Sequence, residues 1–235
     1  LADYDSFAGG QSGRDNLVVK AAELLRTHAG VDFGVRVELQ KRIPLESGLA
    51  GGSSYAAATL RALNRLWRLQ RPVAELQDLA ARLGSDVSFF LGETPAAICR
   101  GRGERIEPLR IPAGLHFVVV RPPSGLSTAA VYKRCSPAAR PQTSLKLATC
   151  LRAGRLAEAG RCFNNALQPP AEEINPDVAR LKTVFARETV LGHGMSGSGS
   201  AYFGLCGNRR HALGIAGRLR SAGLGQVFGA PARRP

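Results

Sequence analysis

KRIPLESGLAGGSSYAAATLRALNRLW, residues Lys41 to Trp67, is the stretch whose reading decides the fold. It runs from the end of an expected strand, closed by Pro44, through a glycine-rich loop into a helix. Gly48, Gly51 and Gly52 lack a Cβ, so the backbone there can approach a ligand closely. Ser53 and Ser54 stand where a helix N-cap is expected, ahead of an Ala/Leu-rich segment of good helix propensity. Free N–H groups at that end, with the positive pole of the helix dipole behind them, make an anion site, and the expected ligand is a polyphosphate. A flexible connection would use the same residues. The phosphate reading gains from its context, a strand before the loop and a long helix after it. No Lys-Ser or Lys-Thr pair follows the glycines, so this is not a Walker A loop.

On the N-terminal side, residues 1 to 15 carry Gly9, Gly10 and Gly13 among polar residues and are expected to form a loop. Asp15 or Asn16 then caps a helix whose apolar positions Leu17, Val18, Ala21, Leu24 and Leu25 recur at helical spacing, and Gly30 ends it. From Val31 to Lys41 the pattern changes to alternation. Val31, Phe33, Val35, Val37 and Leu39 fall on one face and Asp32, Arg36, Glu38 and Gln40 on the other, which predicts a half-buried strand.

Beyond the loop, Ala57, Leu60, Leu63 and Trp67 predict one buried helical stripe, and a second helix follows from Pro72 through Leu76, Leu79 and Leu83 to Gly84. Asp86 comes next, directly before Val87 and Phe89-Phe90. It either caps the turn SDVS or is a carboxylate put to use, since one entering an apolar segment is costly unless paired or employed. Short strands are expected at Ala96–Arg100 and Arg105–Leu109 about a turn at Gly101–Gly103, with Ile111–Gly114 as a connection. A strongly apolar strand, Leu115–Val120, opens the second half. Ser127 or Thr128 can cap the helix after it. Thr143–Leu167 reads as two helices broken at Gly154 and ended by Pro169-Pro170. Asn175-Pro176 starts another, with Val178, Leu181, Val184 and Phe185 buried. Ser196–Ser200, SGSGS, is a linker by composition; flanked by Met195 and the alternating AYFGLC, it is better read as a tight strand-to-strand loop near a ligand. A helix over Asn208–Ala222 and a strand at Gln226–Phe228 complete the chain.

Length and composition leave room for one large or two small domains: 235 residues, 44% apolar and 21% charged. No apolar run approaches the length of a membrane span, and the first residues lack the features of a secretory signal. The formal charge is +14, and of 32 basic residues only those at 20, 41, 133, 146 and 182 are lysine. The arginines are dispersed, without a basic tail or an aromatic-studded basic strand pair, and anionic nucleotide substrates and an arginine-favouring composition explain the charge as well as nucleic acid, which is not expected. Cysteines at 99, 135, 150, 162 and 206 have neither C-x-x-C spacing nor a histidine at zinc-site distance, so they are expected to be small buried hydrophobes of a reducing, cytoplasmic compartment.

PLESGLAGGSSYAAA, from Pro44 to Ala58, resembles the second motif of the GHMP small-molecule kinases, whose loop wraps the nucleotide phosphates. GSDVSFFLG at Gly84–Gly92, GLSTAAVYK at Gly125–Lys133 and MSGSGSAYF at Met195–Phe203 lie in the family's order. They narrow the resemblance to the branch that acts on a cytidine diphosphate-linked methylerythritol. The resemblance implies a two-domain α/β (α+β) GHMP kinase fold. Residues 1–111 would form an N-terminal ATP-binding domain of ribosomal-protein-like βαβ topology, incomplete at its start, and 112–235 a ferredoxin-like C-terminal domain. It also implies ATP-dependent phosphorylation of a tertiary hydroxyl in non-mevalonate isoprenoid biosynthesis.

By the same resemblance Pro44, Leu45, Glu46, Ser47, Gly48, Leu49, Ala50, Gly51, Gly52, Ser53 and Ser54 would hold ATP, and Ser54 (or Ser53) magnesium. Asp86 would accept the proton of the attacking alcohol, and Thr128, Gly197, Ser198 and Gly199 would meet the substrate. The partner implied is this small molecule, without nucleic acid or membrane, on a monomer or weak homodimer. Three departures stand out. The family's first motif, P-x-K-[IV]-N-L, occurs nowhere in these residues, and residue 1 is Leu, so the family's N-terminal segment is expected to be missing. Tyr55 replaces the usual Asp or Asn after Ser-Ser. Ala50 replaces a glycine, expected to cost only conformational freedom. Another GHMP kinase, such as homoserine kinase, and a nucleotide-binding module without catalysis remain the alternatives.

Overall fold

The structure, a computed structural model, describes residues 13–92, 94–111, 114–136 and 143–232. The expected N-terminal loop falls, for residues 1–12, outside the described residues, as do 112–113 of the expected connection and the last three residues. The chain divides into two compact units. One comprises the residues up to Arg42 together with Ala50–Pro108, the other Ile43–Leu49 together with the residues from Leu109 onward.

In the first unit α1 spans Leu17–Ala29. Its start is fixed by Asn16, whose side-chain oxygen accepts the Val18 N–H at 3.1 Å. Its end is fixed by Gly30 at φ 63°, whose N–H reaches the carbonyls of Arg26 and Thr27. α2 covers Gly51–Leu66, α3 Val73–Leu83 and α4 Val87–Leu91. Their apolar stripes meet: Ala21 and Leu25 of α1, Ala57 and Leu60 of α2, Leu76 and Leu79 of α3, and Val87 and Leu91 of α4 are buried in one cluster with Trp67. β1, Ala97–Arg100, and β2, Arg105–Pro108, form an antiparallel hairpin with Ala97 opposite Pro108.

The expected strand from Val31 to Lys41 does not form. Val31 and Val35 lean on the helical cluster, but Phe33 is 55% and Val37 37% exposed. Alternation sorts side chains onto two faces, whereas a strand also needs a ladder of backbone hydrogen bonds. Among the described residues none is offered to 31–41. The next backbone N–H, of Arg42, goes instead to the phenol oxygen of Tyr55 at 3.0 Å.

The second unit is built on a four-stranded antiparallel sheet. Its strands are β3 (His116–Arg121), β4 (Gly192–Met195), β5 (Tyr202–Cys206) and β6 (Gln226–Pro231), in the order β4-β5-β3-β6. Val118 of the central strand faces Gly204 on one side and Gly229 on the other. Among the described residues, the connection from β3 to β4 holds five helices: α5 (Thr128–Arg134), α6 (Leu145–Arg152), α7 (Leu156–Gly160), α8 (Gln168–Ile174) and α9 (Pro176–Ala186). α10 (Arg209–Ser221) joins β5 to β6, so the strands and helices follow a βαββαβ, ferredoxin-like course with the first crossover enlarged. Val118, Val120, Leu181, Phe185, Ile215 and Leu219 are the centre of its core.

Pro169-Pro170 does not end a helix. The pair lies in the first turn of α8, where the missing N–H groups have no intrahelical partner to lose. The edge strand β4 carries a polar network on its core side. Tyr202 is 1% exposed, and burial holds its phenol at a pKa of about 12. Its oxygen meets His193 Nδ1 at 3.0 Å and accepts from Gln168 Nε2 at 3.2 Å. Burial, and secondarily the charge of Lys182, keeps His193 below the ordinary imidazole range.

Candidate active site

The glycine-rich loop is shared between the two units. Its first half, Ile43–Leu49, is seated within the second unit by backbone hydrogen bonds. The Glu46 carbonyl accepts the N–H of Leu126 at 3.3 Å and of Ser200 at 3.2 Å, and the Ser47 carbonyl accepts that of Ala201 at 2.9 Å. Ser196 Oγ donates to the Gly48 carbonyl at 3.0 Å, and Ser47 Oγ, itself buried, closes back onto the Pro44 carbonyl at 2.7 Å. Pro44 is half-buried, while Leu45 and Glu46 are exposed.

Gly48 sits at φ 69° directly against the Ser196–Gly199 turn. A Cβ there would run into the Ser196 carbonyl oxygen and lie within 2.9 Å of the Gly199 backbone. Only glycine combines that φ with that approach. Glu46 is one of the few non-glycine residues at positive φ, 52°, and its carboxylate occupies the space a Cβ on Gly125 would fill.

The second half of the loop belongs to the first unit. Ala50 adopts the left-handed conformation, φ 51° and ψ 33°, and from it α2 begins at Gly51. This moves the helix start forward from Ser53-Ser54. Those serines lie inside the first turn rather than at the cap, and no side chain caps the helix. Ala50 is therefore a strained position, of order 1–2 kcal/mol for an L-residue, and not merely one of reduced freedom.

The first intrahelical bond is from Ser54 N–H to the Ala50 carbonyl at 3.0 Å; among the described residues no acceptor takes the N–H of Gly51, Gly52 or Ser53. Three amides at the positive end of a sixteen-residue helix thus point where an anion would be stabilised. Ser54 Oγ donates to the Gly51 carbonyl at 2.9 Å, which leaves its lone pairs as acceptors.

Asp86 immediately precedes α4, is exposed, and makes no side-chain capping bond. Its backbone is held in place by Val87, fully buried in the same cluster as Ala56 and Ala57, which follow the two loop serines in α2. One core therefore anchors both the helical half of the loop and the element that carries the carboxylate. Partial burial raises the Cys99 thiol above its ordinary range, and the Asp86 carboxylate raises it further.

In the second unit Thr128 and Ser198 come together, Oγ1 to Oγ at 2.8 Å. Thr128 begins α5 and is exposed; Ser127, not Thr128, supplies the cap, accepting the Ala130 N–H at 3.4 Å. Gly197 is exposed at the tip of the turn, with Ser198 and Gly199 buried behind it. The turn is closed by Ser196 N–H to the Ala201 carbonyl and Gly199 N–H to the Ser196 carbonyl, each 2.9 Å. It is also held by a residue that sequence reasoning passes over. Asn165 Nδ2 donates to the carbonyls of Met195 at 2.9 Å and Gly197 at 2.8 Å. Nothing in one sequence announces a contact between an asparagine and backbone thirty residues away.

Among the described residues there is no group of three or more His, Cys, Asp or Glu side chains able to hold a metal ion, and no helix is long and apolar enough to cross a membrane.

The class of protein, a small-molecule kinase, comes from family comparison. Residues 16–93 match the N-terminal domain and residues 147–224 the C-terminal region of the GHMP kinases, and the chain belongs to that family. Within it, the chain is 42% identical to the 4-diphosphocytidyl-2-C-methyl-D-erythritol kinase of Pelotomaculum thermopropionicum over 211 residues, 88% of this chain and 73% of that protein. The enzyme of that name from Rhizobium johnstonii is 38% identical over 224 residues, 95% of this chain and 73% of its own length. A crystal structure of 4-(cytidine 5'-diphospho)-2C-methyl-D-erythritol kinase superposes with a TM-score of 0.78 at 35% identity, over 97% of this chain and 82% of that one. A homoserine kinase from Cytophaga hutchinsonii shares the fold, with a TM-score of 0.76 at 20% identity over 92% of this chain and 76% of that one.

Proposed function

We propose that this chain transfers the γ-phosphoryl group of ATP to the tertiary 2-hydroxyl of 4-diphosphocytidyl-2-C-methyl-D-erythritol, giving the 2-phosphate and ADP in non-mevalonate isoprenoid precursor synthesis. The observation that carries the reading is the 42% identity, over 88% of the chain, to a kinase named for that substrate. Homoserine kinase shares the fold but only 20% of the residues.

Phosphoryl transfer asks for alignment of donor and acceptor and for neutralisation of charge that builds on the transferred group. The residues from Pro44 to Ser54 would receive the ATP phosphates, with the amides of Gly51, Gly52 and Ser53 directed at their oxygens. Ser54 is the residue of this chain that would hold magnesium when ATP is bound. Ser54 has the free lone pairs to ligate it directly or through a water, in keeping with an ion that retains much of its hydration shell. When bound, it would neutralise charge on the phosphates. Asp86, exposed and without a capping role, would take the proton of the attacking alcohol. Thr128 and Ser198, whose hydroxyls already pair, and the backbone of Gly197 and Gly199 would contact the acceptor. A cytoplasmic location and a monomeric or weakly dimeric state complete the proposal.

The test is ADP release from ATP and magnesium with 4-diphosphocytidyl-2-C-methyl-D-erythritol, homoserine or mevalonate as acceptor, for the parent and Asp86→Asn. Transfer to the cytidine-linked alcohol alone is expected. The Asn variant should lower turnover by about a hundredfold or more while its ATP affinity changes little. Transfer to another acceptor would reassign the substrate. Calorimetric ATP binding without transfer to any acceptor would favour a nucleotide-binding module. Unaltered turnover in the variant would remove Asp86 from the mechanism.

A further inference from the structure

Met195 ends β4, and among the described residues β4 is the outer strand of its sheet, with β5 on one side and no strand on the other. The outward N–H and carbonyl of such a residue would ordinarily be left to solvent. Here both are taken by side chains from one short segment. Gln168 Oε1 accepts the Met195 N–H at 3.0 Å, and Asn165 Nδ2 donates to the Met195 carbonyl at 2.9 Å. Asn165 does more than stand in for a strand. The second N–H of the same amide reaches past Ser196 to the Gly197 carbonyl at 2.8 Å, while its Oδ1 accepts the Leu167 N–H at 2.9 Å. The Leu167 bond fixes which way the amide faces, so both donors are directed at the turn.

That turn makes two contacts that bear on the site. Its Ser198 hydroxyl pairs with Thr128, and its Ser196 hydroxyl holds the Gly48 carbonyl. We propose that Asn165 is a positioning residue: its side-chain amide clamps Met195 to Gly197 and so sets where the turn presents Ser198 to the acceptor and receives Gly48. The role at the acceptor rests on the kinase reading; the clamping itself does not.

The test uses Asn165→Asp in the full chain, a substitution that keeps shape and the Leu167 bond but turns a carboxylate toward two carbonyl oxygens. Val184→Ala, a partly buried side chain packed on the core of the same unit, serves as a control for plain loss of stability. Two quantities are read: amide hydrogen exchange of Ser196, Gly199 and Ser200 in the ligand-free protein, and steady-state kinetics with ATP and the acceptor. Asn165→Asp is expected to speed exchange at those amides about tenfold or more. It should also lower kcat about tenfold and raise the ATP KM, because the same turn holds the Gly48 carbonyl of the phosphate loop. Val184→Ala should lower the melting temperature and leave both readouts near the parent. Exchange unchanged in Asn165→Asp, or kcat within twofold of the parent, overturns the inference while the kinase reading stands. If the parent transfers no phosphate at all, the kinase reading fails, and the exchange rates alone decide whether Asn165 clamps the turn.

Discussion

Replacing Gly48 by Ala tests the seating of the loop at its tightest point. The added Cβ would meet the Ser196 carbonyl oxygen and the Gly199 nitrogen and oxygen. All are main-chain atoms of a turn held by its own hydrogen bonds, so none can rotate aside as a side chain would. The residue would also have to keep a φ of 69°, which costs an L-residue about 1–2 kcal/mol. The least disruptive relief is for the loop to lift off the turn, giving up the bond from Ser196 Oγ to the Gly48 carbonyl and roughly another 1 kcal/mol. The sum is about 2–3 kcal/mol on the second unit, or about 5–10 °C in its melting temperature for a unit of this size. Calorimetry records the whole protein. Fluorescence of Trp67, the single tryptophan and part of the first unit's core, follows that unit separately. The expected result is a downward shift of the calorimetric transition with a smaller change in the Trp67 signal, together with weaker ATP binding. A variant that melts within 1 °C of the parent and binds ATP equally well would refute the claim that Gly48 needs both its φ and its contact.

Ala50→Gly should act in the opposite direction, since glycine releases the left-handed strain at the start of α2 and gives back part of it as unfolded-state entropy. A net gain of about 0.5–1 kcal/mol, read as a rise of roughly 2–8 °C by Trp67 fluorescence, is expected; a fall would mean that the methyl group contributes packing that outweighs strain. A pH dependence follows from His193, whose pKa in the fold lies below its unfolded value because of burial and then Lys182. The unfolded chain therefore binds the proton more readily, so this contribution is intact above the unfolded pKa of about 6.5 and is lost as pH falls through the lower folded value. Thermal scans from pH 7.5 to 5 should show the loss in the parent and a weaker one in His193→Gln; equal losses would place the acid sensitivity elsewhere.

The parts of the fold that were legible in the sequence are those fixed by local pattern. Asn16 and Gly30 bracket α1 because a cap and a left-handed stop act on their own helix, and the stripe from Ala57 to Trp67 is buried as its spacing requires. The glycines of the loop were legible as glycines, but their different tasks were not. Gly48 answers to a turn 148 residues further on, through Ser196, while Gly51 and Gly52 simply open a helix. The start of α2 was misplaced for a related reason. Serines are favoured caps, yet the preceding Leu49–Ala50 step, where the chain leaves one unit for the other, sets the boundary through a left-handed alanine that no propensity favours.

Residues 31–41 mark the same limit from the other direction. Their alternation is as regular as that of any strand in the molecule, and it does tuck Val31 and Val35 against the helices. But a pleat is held by hydrogen bonds from a neighbour, and the identity of that neighbour is not written in the pattern. The central strand β3 shows the contrast. It has partners on both edges, through Gly204 and Gly229, and Val118 and Val120 are fully buried, whereas Phe33 and Val37, equally apolar and equally well spaced, stand in solvent. Hydrophobic periodicity thus states which face would be buried if a ladder formed, and pairing decides whether one does. The same separation explains Asn165. Its side chain acts as a pairing partner for the edge of β4, so its importance arises where the backbone lacks a strand rather than in any feature of its own surroundings in sequence.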